Sequence, residues 1–141
     1  MSEALYTAKT LSTGGGRDGH VATHDRSIDL DVRPPKELGG DGNGTNPEQL
    51  VASGWAACFN GALQLMMKND DVKVEQKPEV EVTMTLNKGD EGMFLTATVH
   101  ATIFVVDQDK ATELVNKAHE FCPYSKAMRG NVPTEVTASV G

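Results

Sequence analysis

The sequence predicts an α+β fold in a single domain covering residues 1–141, and three observations support this class. The chain is 141 residues long, which suits one domain with its own hydrophobic core. Apolar residues recur at helical spacing in two segments and alternate with polar residues in several others. The segment order is strands, helix, hairpin, helix and strand, unlike the alternating strands and helices of parallel α/β proteins.

The first 45 residues are predicted to form short strands separated by glycine-rich turns. The strands are expected at residues 6–13, 21–24 and 28–32. Residues 14–19, which include Arg17, are predicted to form a tight turn. The pair Pro34–Pro35 ends the third strand, because proline has no N–H to donate. The glycine-rich segment at 39–44 is predicted to be a mobile surface loop.

A long helix is predicted from residue 45 to about residue 68. It opens on a proline-containing first turn, and Thr45 with Glu48 matches a capping box. Residues 49–67 carry no charge, but their small and polar residues favour a buried helix over a membrane span. Apolar residues occupy nearly every face, so the helix needs cover on more than one side. Packing against its copy across a two-fold axis would supply that cover, and a homodimer is therefore expected.

An antiparallel hairpin and a second helix complete the predicted elements. Alternation over residues 79–86 and 95–105 predicts two strands joined by a loop. Asp107 is expected to cap a helix that Pro123 breaks or restarts as a short helix ending near residue 130. A final strand is predicted over residues 135–140.

Charge and composition exclude several classes of function. The net charge is −7 and no lysine or arginine run interrupts it, which excludes nonspecific binding to nucleic acid or to anionic membranes. The first residues lack the basic and apolar regions of a signal peptide. We therefore expect a cytoplasmic protein, whose thiols are kept reduced unless they are catalytic or redox-sensing.

Two cysteines, Cys58 and Cys122, are the strongest candidates for chemistry. Each lies on the apolar face of a predicted helix, and their separation excludes a CxxC redox motif or a zinc-knuckle spacing. Burial there raises the pKa of a thiol unless a cation is near. Taken alone, the pattern favours two small buried hydrophobic residues, with a redox-active pair as the alternative.

Arg17 is the candidate for that cation. The glycines around it give the backbone freedom to turn its side chain inward, although a solvated turn arginine fits the spacing equally well. Glu48 could hold the guanidinium through a bidentate pair. From spacing alone, closure of the capping box is the favoured role of Glu48.

Other reaction chemistries find little support in the residue pattern. The four histidines show no metal-binding spacing, although His20 and His24 would share a strand face, so no metal site is predicted. Ser53 lacks the nucleophile elbow of serine hydrolases. No glycine-rich phosphate-binding motif is present, and no bound cofactor is expected.

Four segments nevertheless occur in the order and with the separations of one protein family. They are Gly-Gly-Arg17-Asp-Gly, Thr-Asn-Pro-Glu48-Gln-Leu, Ala-Ala-Cys58-Phe and Cys122-Pro-Tyr-Ser. Over essentially its full length the chain resembles the organic hydroperoxide resistance proteins (Ohr) of the Ohr/OsmC family. One departure is Val51-Ala-Ser-Gly-Trp55, where relatives commonly have Phe-Ala-Ala-Gly-Tyr, and this change could alter the substrate pocket.

The resemblance implies a thiol-dependent peroxidase that reduces organic hydroperoxides to alcohols during oxidative stress. It implies an intertwined homodimer in which central helices lie between antiparallel sheets and the active sites lie at the subunit interface. Cys58 would be the peroxidatic cysteine, and Cys122 would resolve its sulfenic acid into a disulfide. Arg17 would activate the thiolate and Glu48 would orient Arg17. An external dithiol, dihydrolipoamide or a lipoylated protein, would reduce the disulfide.

A pocket lined by Trp55, Phe59, Met66 and Phe121 is predicted to favour alkyl or lipid peroxides over hydrogen peroxide. Two other functions remain open. One is a peroxide-sensing redox protein, which would also need a reactive cysteine pair. The other is a noncatalytic scaffold with two buried cysteines.

Overall fold

The computed structural model describes residues 2–73 and 75–141. The chain divides into two compact units, Met1–Leu50 and Val51–Gly141. Each unit contains a three-stranded sheet within the described residues. This architecture confirms the predicted α+β class.

The first unit is built on an antiparallel meander of strands β1 (Thr10–Gly15), β2 (Asp18–Thr23) and β3 (Asp29–Val32). The predicted turn at 14–19 is shorter than expected, because Gly14 and Gly15 pair with Gly19 and Asp18 in the ladder. Only Gly16 and Arg17 therefore turn the chain. Gly16 adopts a φ of 72°, which favours glycine, and the turn holds Arg17 at its tip.

The glycine-rich segment at 39–44 follows a backbone path defined by hydrogen bonds. A short 3-10 helix, Lys36–Leu38, ends at Gly39, which takes a left-handed φ of 86°. The N–H of Gly40 donates to the Pro35 carbonyl and that of Gly42 to the Pro34 carbonyl. The segment predicted to be a mobile loop is thus tied back to the two prolines that precede it.

Helix α1 (Pro47–Asn69) begins two residues later than predicted and ends one residue later. Asn46 caps it, because its side-chain Oδ1 accepts the Gln49 backbone N–H at 2.9 Å. Thr45 instead donates its hydroxyl to the Gln49 side chain. The predicted capping box between Thr45 and Glu48 is wrong: the cap lies one residue further along, and the Glu48 carboxylate has another partner.

The second unit contains the predicted hairpin, β4 (Glu79–Gly89) and β5 (Gly92–Ile103), joined by a tighter turn than expected. Strand β6 (Thr134–Val140) lies on the other side of β5 and runs parallel to it. This differs from the expected purely antiparallel sheets. Two helices separate β5 from β6, and such a crossover allows the chain to return in the same direction.

Those helices are α2 (Gln108–Phe121) and α3 (Pro123–Met128). Asp107 caps α2 by accepting the Lys110 N–H, as predicted. Pro123 is the first residue of α3, so Cys122 alone separates the two helices, with φ −61° and ψ 122°. A residue before proline disfavours the helical conformation, and this restriction explains the break at Cys122.

The core of the second unit contains side chains from α1, β5 and α2. Its largest fully buried side chains include Trp55, Phe59, Leu63, Met67, Val99, Ile103 and Leu114. Helix α1 is long and apolar enough to cross a membrane by length and composition, but one face of it packs into this core. Another row on α1, at four-residue spacing, is exposed in the single chain: Ser53, Ala57, Gly61 and Leu65.

Candidate active site

The second unit brings the two cysteines together. Cys58 lies near the middle of α1 and Cys122 at the break between α2 and α3. Their Sγ atoms are 3.6 Å apart although the residues are 64 positions apart in sequence. Both are free thiols; Cys122 is fully buried and Cys58 is partly exposed. A disulfide bond is about 2.05 Å long, so the pair lies a small movement away from bond formation.

The surroundings of Cys58 favour the neutral thiol. Burial raises the pKa of Cys58 above its ordinary value of 9.0, and the neighbouring Cys122 thiol raises it further. The backbone N–H of Tyr124 acts in the opposite direction by hydrogen bonding to the Cys58 sulfur. Since only the thiolate is an effective nucleophile, attack at neutral pH requires a further stabilising charge.

A buried hydrogen bond lies beside the thiol pair. The indole Nε1–H of Trp55 donates to the Ser125 hydroxyl at 3.0 Å, and both residues are fully buried. Phe59 is also fully buried. This burial disagrees with the prediction that Trp55 and Phe59 line a pocket open to substrate: both rings face the core side of α1 and expose no surface to a ligand.

The other two predicted pocket residues lie in different surroundings. Met66 is partly buried and packs against the core cluster. Phe121, at the end of α2, is about half exposed, and the Lys126 ammonium lies 5.9 Å from the centre of its ring. An apolar ring at the surface, close to Cys122 in sequence, is available for contact with an apolar ligand.

In the first unit, Arg17 and Glu48 form a bidentate ion pair. Arg17 Nη2 lies 2.8 Å from Glu48 Oε1, and Nη1 donates to Oε2 at 3.1 Å. The pair lowers the pKa of Glu48 and raises the pKa of Arg17, in both cases chiefly through these hydrogen bonds. The Glu48 side chain is 15% exposed and that of Arg17 is 43% exposed. The Glu48 carboxylate is thus paired with the Arg17 guanidinium and does not close the capping box.

A second arginine supports the turn that carries Arg17, and sequence reasoning missed it. Arg33 Nη1 donates to the carbonyl oxygens of Gly19 and Val32, both at 2.7 Å. Gly19 lies in β2 just after the turn, and any Cβ there would clash with the Thr13 carbonyl. Spacing could not identify Arg33, because its bonds go to backbone atoms that only the paired strands bring together.

His20 is held between two carboxylates of the neighbouring strand. Its Nε2 lies 2.6 Å from Asp29 Oδ1 and its Nδ1 lies 3.0 Å from Asp31 Oδ1. These hydrogen bonds, that to Asp31 first, raise the pKa of His20 and favour the imidazolium. Within residues 2–73 and 75–141, no group of three or more histidine, cysteine, aspartate or glutamate side chains is placed to hold a metal ion.

Comparison with known proteins identifies the family. A family model described as OsmC-like protein matches residues 40–137. The chain belongs to the Ohr/OsmC family. An organic hydroperoxide resistance protein-like sequence from Staphylococcus aureus strain USA300 is 45% identical over 140 residues, which cover 97% of this chain and 98% of that protein. The organic hydroperoxide resistance protein OhrB of Bacillus subtilis is 43% identical over 133 residues, with 94% and 97% coverage.

Solved structures of Ohr proteins share the complete fold. The crystal structure of Bacillus subtilis OhrB superposes with a TM-score of 0.86 and covers 96% of this chain and 100% of that one. An organic hydroperoxide resistance protein from Legionella pneumophila gives a TM-score of 0.91 at 42% identity, with 98% and 100% coverage. Full-length matches at this identity confirm the resemblance and the Ohr/OsmC fold expected from the four sequence segments.

Proposed function

We propose that this Ohr/OsmC family member is a cysteine-based peroxidase that reduces organic hydroperoxides, alkyl or lipid, to alcohols in the response to oxidative stress. The observation that carries the proposal is the 3.6 Å distance between the Cys58 and Cys122 sulfur atoms. Its relatives are named for organic hydroperoxide resistance, which supports a hydroperoxide as the substrate. A free dithiol at this distance is the chemistry such a reaction needs.

The reaction divides between the two thiols. The Cys58 thiolate attacks the O–O bond, the alkoxide takes a proton and leaves as the alcohol, and Cys58 becomes a sulfenic acid. The Cys122 thiol then attacks the Cys58 sulfur, so that an S–S bond forms and water leaves. Partial exposure of Cys58 suits the attacking role, and full burial of Cys122 suits an internal resolving role.

We assign activation of the Cys58 thiolate to Arg17, on the strength of the family resemblance. The raised pKa of Cys58 makes a positive charge necessary for attack at neutral pH. Arginine can serve because it stays protonated even when desolvated. The bidentate pair with Glu48 limits the positions of the guanidinium, which supports an orienting role for Glu48.

The disulfide is reopened by thiol–disulfide exchange with an external dithiol, dihydrolipoamide or a lipoylated protein. No bound cofactor takes part in this cycle. Phe121 and Met66 remain the residues proposed to contact the organic part of the peroxide. The reaction takes place in the cytoplasm, where reducing conditions keep the resting thiols free.

A homodimer is the proposed assembly. The exposed row of Ser53, Ala57, Gly61 and Leu65 on α1 is apolar or small, and such a row allows another backbone to approach closely. A long apolar helix with one uncovered face is stabilised by packing against its copy. Sedimentation that shows a stable monomer at micromolar concentration would exclude this assembly.

The direct test is steady-state reduction of an alkyl hydroperoxide with dihydrolipoamide as reductant. Cys58→Ser should abolish turnover, since no thiolate attacks the O–O bond. Cys122→Ser should reduce about one equivalent of peroxide and then stall, with Cys58 trapped as sulfenic acid or overoxidised. Thr112→Ser, an exposed change on α2, is the control and should retain activity. Full activity in Cys58→Ser would end the proposal.

One observation favours the noncatalytic scaffold as a second candidate. A raised thiol pKa and a buried neighbour are also the features of inert structural cysteines. Titration of the native thiols separates the two functions, because a scaffold leaves both thiols unreactive while an enzyme or sensor oxidises quickly to a disulfide. Repeated turnover with the dithiol reductant then distinguishes the enzyme from a peroxide sensor.

A further inference from the structure

We propose that the buried hydrogen bond between Trp55 and Ser125 is a positioning contact that sets how readily the Cys58–Cys122 disulfide forms. The proposal rests on the redox role proposed for the two cysteines. It assigns Trp55 a function different from the substrate contact that its sequence position suggested. Neither residue touches the reacting oxygen atoms, so their effect is exerted through the distance between the two sulfur atoms.

The bond and the thiol pair connect the same two segments of chain. Trp55 lies three residues before Cys58 on α1, a spacing that places both side chains on one side of a helix. Ser125 lies three residues after Cys122, in the first turn of α3. The indole–hydroxyl bond of 3.0 Å and the sulfur–sulfur contact of 3.6 Å are therefore neighbouring connections between α1 and the start of α3.

The segment that carries Cys122 is rigid enough to transmit a constraint from Ser125. The Cys122 N–H donates to the Ala118 carbonyl at 2.8 Å, and the Cys122 carbonyl accepts from Lys126 at 3.0 Å. The Ser125 carbonyl in turn accepts the Arg129 N–H at 2.9 Å. A displacement of Ser125 would therefore move Cys122 with it.

Two further observations place the start of α3 beside α1 at this point. The Tyr124 backbone N–H, in the first turn of α3, is close enough to the Cys58 sulfur to lower the pKa of that thiol. The Tyr124 ring also faces α1 here, because a Cβ added at Gly54 would meet it at 3.8 Å, an ordinary van der Waals distance. The Trp55–Ser125 bond joins two fully buried polar groups, so a group that loses its partner is left unsatisfied inside the core.

Disulfide formation requires the sulfur atoms to move from 3.6 Å to about 2.05 Å. The equilibrium between the dithiol and the disulfide depends on how closely the native fold holds the two thiols before the bond forms. Without its acceptor, the buried indole N–H is unsatisfied, and α3 can relieve this by moving away from α1. The disulfide should then form less readily and be reduced more readily.

The experiment measures that equilibrium in the full chain, using mixtures of reduced and oxidised dithiothreitol, with alkylation and mass spectrometry to count thiols. We expect Ser125→Ala to shift the equilibrium about tenfold toward the dithiol, which is a reduction potential about 30 mV less negative. Trp55→Phe should shift it in the same direction. The double variant should shift it less than the sum of the two, since both changes remove one bond.

Ile103→Val is the matched control, because it also removes buried contacts from this core but lies on β5, away from the α1–α3 contact. It should lower overall stability while leaving the dithiol–disulfide equilibrium unchanged. Trp55 is the only tryptophan of the chain, so its emission in Ser125→Ala reports whether the core remains folded. Where Ser125→Ala does not fold, Trp55→Phe provides the same comparison.

The outcomes separate this inference from the proposed function, because no peroxide is used. Equilibria in Ser125→Ala and Trp55→Phe equal to that of the unaltered chain would overturn the positioning role and leave the peroxidase proposal in place. An equal shift in Ile103→Val would also overturn it, since the effect would then reflect general core loosening. An unaltered chain that forms no disulfide in oxidised dithiothreitol would overturn both proposals.

Discussion

Arg17 with Glu48 in the first unit and Cys58 with Cys122 in the second are both side-chain pairs between residues distant in sequence, but their surroundings are opposite. The first pair is charged, partly exposed and joined by two hydrogen bonds. The second pair is largely buried, and the Cys122 thiol donates one weak hydrogen bond to the Cys58 sulfur at 3.6 Å. The ion pair is held by its own attraction and by a glycine turn, whereas the thiol pair is held by the core around it.

This difference has a chemical consequence. Hydrogen bonds within the ion pair stabilise both charges, so Arg17 and Glu48 remain ionised at neutral pH. Burial at the thiol pair has the reverse effect and opposes ionisation of Cys58. A reaction that needs a thiolate must therefore combine a position dictated by the core with a charge that the core does not provide.

Removing the charge of Arg17 should have the largest effect on thiol reactivity. The activating role proposed for Arg17 predicts that Arg17→Ala, in a Cys122→Ser background, raises the pKa of Cys58 by about one to three units, the usual size of the shift that an opposite charge produces. The measurement is the rate of Cys58 alkylation by iodoacetamide as a function of pH. Arg17→Lys keeps a charge and should shift the profile less. Identical profiles for Cys122→Ser with and without Arg17→Ala would mean that the ion pair and the thiol pair act independently.

The dependence of the thiol pair on its core can be tested through stability. Leu114→Ala removes a fully buried side chain of the second unit and should lower the free energy of unfolding by about 2–5 kcal/mol. Leu38, which is exposed in the first unit, is the comparison. Leu38→Ala should change the free energy of unfolding by no more than about 0.5 kcal/mol. Urea unfolding followed by Trp55 emission measures both. Equal losses of stability in Leu114→Ala and Leu38→Ala would mean that burial does not distinguish these two positions.

The helix cap beside Glu48 predicts an intermediate effect. Asn46→Ala removes the acceptor for the Gln49 N–H and should cost about 1 kcal/mol of stability. Thr45→Ala should cost less, because Thr45 bonds only to the Gln49 side chain. Thermal unfolding of the two variants checks the order. A larger loss of stability in Thr45→Ala than in Asn46→Ala would indicate that Thr45 caps the helix, as the sequence predicted.

The ion pair itself should contribute the least, and its contribution should depend on pH. The folded-state pKa of Glu48 lies below its ordinary value of 4.5, so its stabilisation is present above that value and is lost as pH falls through the lowered pKa. Solvent screening keeps the contribution of the ion pair to stability below about 1 kcal/mol, since the Arg17 side chain is 43% exposed. The stability difference between the unaltered chain and Glu48→Gln should therefore shrink on acidification. A stability difference that grew on acidification would mean that the folded-state pKa of Glu48 is raised and not lowered.

Elements with a strong local pattern were predicted well from the sequence. The alternation in β4 and β5, the cap at Asp107 and the break at Pro123 each depend on neighbours a few residues away, and all three are confirmed. The start of α1 was misplaced because two adjacent residues, Thr45 and Asn46, can both cap a helix. The direction of β6 depends on the crossover through α2 and α3, and no local pattern records it.

The predicted site shows the same division. Cys58, Cys122, Arg17 and Glu48 stand in motifs, and the sequence alone was enough to select them. Trp55 and Phe59 were assigned to an open pocket because an apolar helix does not indicate which of its faces meets the core. Ser125 and Arg33 were missed because their partners are a buried indole and two strand carbonyls.

The sequence by itself determined the family, the α+β class, most of the helices and strands, and the four residues on which the proposed chemistry depends. Only the tertiary structure decided that two thiols 64 positions apart lie 3.6 Å from each other, and that Glu48 binds Arg17 instead of closing a capping box. It also decided that Trp55 bonds to Ser125 inside the core. The physical reason is that a residue pattern reports interactions within a few turns of chain, whereas distances between remote side chains depend on how the whole core packs.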